Sequence, residues 1–162
     1  MAISFAGFAA GCTTINLARA PDVTNAPAPG FETVSAGSEE DFIINVGRRT
    51  YFTKGSAKLD ATAIRTLDAQ AAWLSGNRGW LVKLQGHADD PGSVEADRLL
   101  SQRRADSVMA YLISRGVEPS RLWAKGYARD RLVRECPDIE CKAQNRRVVS
   151  NLRTEKDDAA PN

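Results

Sequence analysis

One histidine, His87, is the only imidazole in a chain of 162 residues. Histidine-based metal centres take two or three, so a single one removes most of them. Cysteine is nearly as scarce. Cys12, Cys136 and Cys141 are the whole supply, short of the four ligands that structural zinc wants. Long apolar runs are missing too, since no segment approaches the roughly 18 residues needed to span a bilayer as a helix. Neither sign of charge dominates: 22 Lys and Arg against 20 Asp and Glu leave a net charge of +2, too small for a nucleic-acid-binding surface. No HExxH, GxSxG, P-loop or dinucleotide glycine motif occurs. Hydrolytic and nucleotide chemistry therefore lack their usual nucleophile, metal or phosphate cradle. No internal repeat is present.

What is present is enough apolar material, 43%, for one core and one domain with tails. Arg outnumbers Lys among the cations, which suits planar recognition of carboxylates. Residues 2–11 carry only small or apolar side chains and lead to Cys12. "AAGC" resembles a lipobox, in which a signal peptide is cut before a cysteine that is then lipidated; Ala9 stands where such boxes usually carry Leu. No basic n-region precedes it, so the expectation is that the recorded start lies within a longer signal. Residues 13–39, rich in Ala, Pro, Thr, Gly and Ser, read as a flexible tether that reaches on the order of 80 Å when extended. The domain is then 40–153, and 154–162, "TEKDDAAPN", reads as a frayed tail. Cys136 and Cys141 are expected to form a disulfide rather than hold a metal, and an oxidised pair implies an exported protein.

Within the domain, "DFIINVGRRTYF" alternates and is rich in β-branched and aromatic residues, so at least part of it is strand. Asp60 can cap a helix whose inward face is Ile64, Leu67, Ala71 and Leu74; "GNRG" at 76–79 stops it. "WLVKLQ" is a second strand. Ser93 opens a second helix with Leu100, Ala105, Val108 and Leu112 inward and Arg98, Arg103 and Arg115 outward, and Gly116 closes it in the C′ position. "RLWAKGY" is a third strand, a loop carries the cysteine pair, and "NRRVVSNL" is a fourth. The order β-α-β-α-β-β predicts an α/β two-layer sandwich, with helices on one face of a small mixed sheet and an antiparallel last strand.

The loop "HADDPGS" leaves a strand end, where α/β folds place ligand sites. His87, Asp89 and Asp90 do not make an enzyme without a nucleophile or metal. The plain reading of His87 is a strand-end histidine bonded to backbone. Arg104 lies some three turns into the second helix, within reach of Asp89. One anion beside one cation suits an amino-acid zwitterion, the carboxylate held by Arg through two parallel hydrogen bonds and the ammonium by Asp. An internal salt bridge that only pins the loop fits the same spacing.

Residues 86–130, "GHADDPGSVEADRLLSQRRADSVMAYLISRGVEPSRLWAKGYARD", and "NRRV" at 145–148 resemble the OmpA-like C-terminal domain family. Within it they are similar to the peptidoglycan-associated lipoproteins. The family pattern runs G-H-[TA]-D, then L-S-x-x-R-A, a GV-x-x-x-R turn, a G-x-G or Y-G element and N-R-R; this chain matches the others in order and has Gly126-Tyr127 near the fourth, and "NVGRRTYF" and "LDAQAAWL" upstream also match, so the resemblance spans about 40–152. It implies a non-catalytic, cofactor-free module that binds peptidoglycan through diaminopimelate of the stem peptide, Asp89 taking the ammonium and Arg104 the carboxylate. Phe52 and Thr53 would contribute backbone groups, and Leu100 and Ser101 would shape the pocket. Arg146 or Arg147 would line it, and Asn145 would brace the turn. Three departures stand out: Asp97 replaces the usual Asn and could repel the ligand or pair with Arg104 or Arg98, Ala88 replaces Thr, and Thr53 replaces an acidic residue. Some relatives carry a disulfide in the loop of Cys136 and Cys141. The implied partners are peptidoglycan, an outer membrane reached through lipid on Cys12, and, as the alternative, the propeller protein of the Tol system.

Overall fold

The computed structural model describes residues 34–133 and 139–157. Lipidation at Cys12, the tether up to residue 33, the pairing of Cys136 with Cys141 and the last five residues lie outside the described residues.

Helix α2 (Ala61–Gly76) starts where Asp60, in extended backbone, accepts from the Ala63 amide. Helix α3 (Val94–Ser114) starts the same way, with Ser93 accepting from Ala96. Both are side-chain caps that satisfy amides left over at a helix start. Gly116, at φ +92°, ends α3 in the left-handed conformation that glycine adopts without strain. The far end of α2 is closed from a distance. Arg121, nearly buried, donates Nη1 to Leu74 O, Nη2 to Asn77 O and Nε to Trp80 O, so a cation meets the carbonyl end of the helix.

Strands β1 (Arg49–Tyr51), β2 (Leu81–Gly86), β3 (Leu122–Gly126) and β4 (Arg147–Arg153) form one sheet in the order β1-β4-β2-β3. β2 and β3 are parallel, while β4 pairs antiparallel with both β1 and β2. The last strand thus inserts between the first two, separating neighbours that the chain order suggested would pair. Val82, Leu84, Leu122, Val148 and Leu152 point from the sheet into the core. There they meet Leu67, Ala71 and Leu74 of α2 and Ala105, Val108 and Leu112 of α3. Both helices therefore cover one face.

Two glycines set how closely α3 lies on the sheet. Gly86 and Gly126 face each other in register. A Cβ on Gly86 would stand 2.0 Å from Ser101 O, and one on Gly126 would stand 2.6 Å from Ser101 Oγ. Ser101 uses the space, accepting from Ala128 N and donating to Arg98 O.

Several expectations change. Only the end of "DFIINVGRRTYF" is strand. Glu39–Asp41 is a short helical turn, α1, that runs into a π-type turn over Phe42–Val46 closed by Gly47 N to Phe42 O. Burial of Phe42 against Trp73, ring centroids 4.9 Å apart, overrides the strand preference of Ile43 and Ile44. The expected loop before the last strand contains helix α4 (Ile139–Asn145). Residues that read as tether also belong to the domain, since Gly37 O accepts from Trp80 Nε1 and Gly37 N donates to Asp41. At the other end, Asp157 of the expected frayed tail bonds Lys83 and Trp123.

Candidate ligand-binding site

At its carboxyl end β2 continues between its neighbours, with His87 N donating to Arg147 O and Ala88 N to Ala128 O. Asp89 and Asp90 leave from there, facing the first turns of α3, the loop at 52–60 and the turn into β4. Arg104 is fully buried among these segments. Its Nη1 donates to Asp90 Oδ2 at 2.8 Å and to His87 O at 3.2 Å, its Nε to Ser56 O at 2.9 Å and its Nη2 to Thr53 O at 3.1 Å. The Phe52 ring lies 5.5 Å from the guanidinium carbon.

The carboxylate paired with Arg104 is therefore that of Asp90, where the spacing suggested Asp89. Asp90 also accepts from Gly55 N at 2.6 Å, so one side chain joins α3 to the 52–60 loop. Asp89, one residue earlier, points the other way and accepts from Asn145 Nδ2 at 2.9 Å through Oδ2. No side chain among the described residues bonds its other oxygen. Asp89 and Arg104 thus border the same turn with Asp90 between them.

Asp97 pairs with neither cation proposed for it. Almost fully buried, it bonds Arg129 Nε and accepts from Asp90 N, while Arg98 reaches Glu95 at the surface. Arg129 also donates to Asp90 O and Gly92 O, so Asp97 and Arg129 together clamp the 89–92 turn. Leu100 is buried beneath it.

The two arginines of the N-R-R element diverge, as neighbours on an extended chain must. Arg146 lines an open cleft of about 330 Å³ with Tyr51, Phe52, Thr53, Asp60, Ala143 and Gln144. Its Nε reaches Phe52 O at 3.4 Å, and no described residue bonds its two Nη atoms. Arg147 turns to the other side of the sheet and donates to Asn145 O and Arg131 O.

His87 is buried and donates from Nδ1 to Asp130 O at 3.0 Å. Burial first, then the charges of Arg147 and Arg131, lower its pKa to about 4, so the ring is neutral near pH 7. Stacked on Tyr127, it supports the turn from beneath.

Sequence reasoning missed Asp90 as the bridging carboxylate, and Arg129 altogether. The adjacent acid in "ADD" was the available signal for the first. For Arg129, 32 residues from its partner Asp97, no local pattern exists.

A model described as the OmpA family matches residues 51–146. A protein of Rhizobium meliloti (strain 1021) named peptidoglycan-associated lipoprotein is 40% identical over 123 residues, 76% of this chain and 70% of that protein. One of the same name from Pseudomonas aeruginosa is 41% identical over 98 residues, 60% of this chain and 58% of that protein. Among solved structures, the peptidoglycan-associated lipoprotein of Burkholderia pseudomallei superposes with a TM-score of 0.63 at 26% identity, over 65% of this chain and 90% of that one. The C-terminal domain of Helicobacter pylori MotB gives 0.61 at 21% identity, over 65% of this chain and 83% of that one, a likeness of fold.

Proposed function

Because the chain belongs to the OmpA family, we propose that it is a non-catalytic module that binds peptidoglycan through the zwitterionic end of diaminopimelate. In this reading Asp89 accepts from the ligand ammonium through its uncommitted oxygen, and Arg104 and Arg146 receive the carboxylate. The observation that carries it is the cleft beside Phe52 and Thr53, where the Nη atoms of Arg146 have no described partner. Arg104 enters only if the 52–56 loop moves, since two of its four bonds go to Thr53 O and Ser56 O. Exchanging two carbonyls for a carboxylate keeps the guanidinium satisfied and adds charge to its bonds. Phe52 and Thr53 then serve through backbone, Leu100 and Asp97 as supports, and Arg147 stands outside the cleft.

With lipid on Cys12 and a tether before residue 34, such a domain would hold an outer membrane to the cell wall from the periplasmic side. Many weak contacts on one polymer would gain from high effective concentration. The test is sedimentation with purified cell wall, with and without free diaminopimelate. Asp89→Asn and Arg146→Ala are expected to lower the bound fraction at least about tenfold while circular dichroism stays unchanged. Arg104→Lys adds a buried-site variant that keeps the charge and loses the planar fork. Wild-type binding in Asp89→Asn and Arg146→Ala overturns the site.

A second reading, docking to the propeller protein of the Tol system, is favoured by Val94 and Leu99, exposed at 59% and 57% on α3 near the same turn. Wall binding absent from the native chain, with that protein retained on it, would select this reading.

A further inference from the structure

Asp60 caps α2, its Oδ1 accepting from the Ala63 amide at 2.8 Å. That bond occupies one carboxylate oxygen. The other, Oδ2, has no hydrogen-bond partner among the described residues. Capping alone does not call for a charge, since Ser, Asn and Asp cap about equally well, and α3 is capped by the neutral Ser93. Asp60 brings an anion to the same task and is exposed to solvent.

Its place in the fold gives that charge a second use. Asp60 lines the cleft of about 330 Å³ that also holds Arg146, beside Phe52 and Thr53, whereas Asp89 does not line it. Arg146 is nearly buried, and no described residue bonds its two Nη atoms. Asp60 and Arg146 share the cleft without bonding each other. Asp60 and Thr53 also border a second open cleft, of about 380 Å³, into which Lys58 projects. No ion pair joins Lys58 to Asp60 among the described residues. The carboxylate thus stands where two clefts meet, with an unspent oxygen and an unspent guanidinium in the first of them.

We propose that Asp60 is a specificity-determining residue of the Arg146 cleft, accepting through Oδ2 from an amine of the ligand whose carboxylate meets Arg146. The inference rests on the zwitterion reading above and adds the acid that distinguishes an amino acid from a plain carboxylic acid at that place. An anion and a cation in one cleft attract a group that carries both charges, and the same anion repels a ligand that brings carboxylates alone. An ammonium has three donors, so a bond to Asp60 leaves two for other acceptors. Because Asp60 is exposed, its share is several-fold rather than orders of magnitude.

Asp60→Asn keeps the cap and removes the charge, so its Tm is expected within about 2 °C of the native value. Asp60→Ser, the cap that α3 uses, repeats the test with a second neutral side chain. NMR titration of the full chain gives dissociation constants for two compounds: free diaminopimelate, and its N,N′-diacetyl form, which keeps both carboxylates and loses both ammonium groups. The native chain is expected to prefer the first. Both variants are expected to raise the Kd of diaminopimelate about threefold and to lower that of the diacetyl form. Opposite shifts are a signature that loss of a cap does not produce. Equal weakening of both compounds, or an unchanged preference, overturns the role of Asp60 and leaves the cleft standing if Arg146→Ala still loses diaminopimelate. A native chain that binds neither compound overturns both readings.

Discussion

Arg104 carries its charge fully buried, which is costly unless every donor finds an acceptor. Three carbonyls and the Asp90 carboxylate supply acceptors for Nε and both Nη atoms. That demand explains why Asp90 rather than Asp89 faces it: a buried guanidinium takes the carboxylate that can also tie down the 52–60 loop through Gly55. His87 shows the opposite economy, a base buried neutral. Its pKa falls from 6.5 to about 4 on folding, so between these values the unfolded chain holds the extra proton. Stability is then full above about pH 6.5 and falls as the pH drops toward about 4, by about 3 kcal/mol. His87→Gln should flatten that part of the curve. Urea midpoints of both proteins at about pH 7 and about pH 4.5 measure it, and parallel losses would show that the slope comes from other groups.

Among the elements, α3 depends most on its contact with the sheet. Its approach at Gly86 leaves no room for a Cβ, and the obstacle, Ser101 O, is backbone that cannot swing aside. Gly86→Ala should therefore cost on the order of 3 kcal/mol and lower Tm by about 10 °C. Cell-wall binding should weaken with it, because the same shift moves the helix that carries Arg104. A calorimetric Tm within about 2 °C of the native value would show that the helix relocates freely. The caps at Asp60 and Ser93 and the stop at Gly116 are legible from their local residues alone, because each acts within a few positions of itself. The π-type turn at Phe42–Val46 is not, because Phe42 is held there by Trp73, 31 residues away along the chain.

For the molecule as a whole, an open sheet has to keep its edges from pairing with other chains. Tyr127 N donates to Gly86 O, so alternate positions of β3 face β2, leaving Ala124 and Gly126 toward the free edge. Gln102 of α3 covers that edge with its amide, accepting from Gly126 N at 2.8 Å and donating to Ala124 O at 3.4 Å. Gln102→Ala should cost about 1 kcal/mol and expose a pairing edge. Concentration-dependent self-association is expected in analytical ultracentrifugation, and a monomer at all concentrations would assign the amide a merely local role.

The sequence by itself determined the helices, their inward faces, three of the four strands almost to the residue and the turn that carries the acids, because caps, periodicity and the shared G-H-A-D, L-S-x-x-R-A and N-R-R elements act over a few residues. Only the tertiary structure decided which acid meets Arg104, that Arg146 lines the cleft while Arg147 faces away, that Asp97 clamps Arg129, and that β4 slides between β1 and β2. Each of these outcomes joins groups far apart in the chain. Each was settled by competition among several charged neighbours for a buried partner or for a place in the ladder, and pattern along the sequence carries no record of that competition.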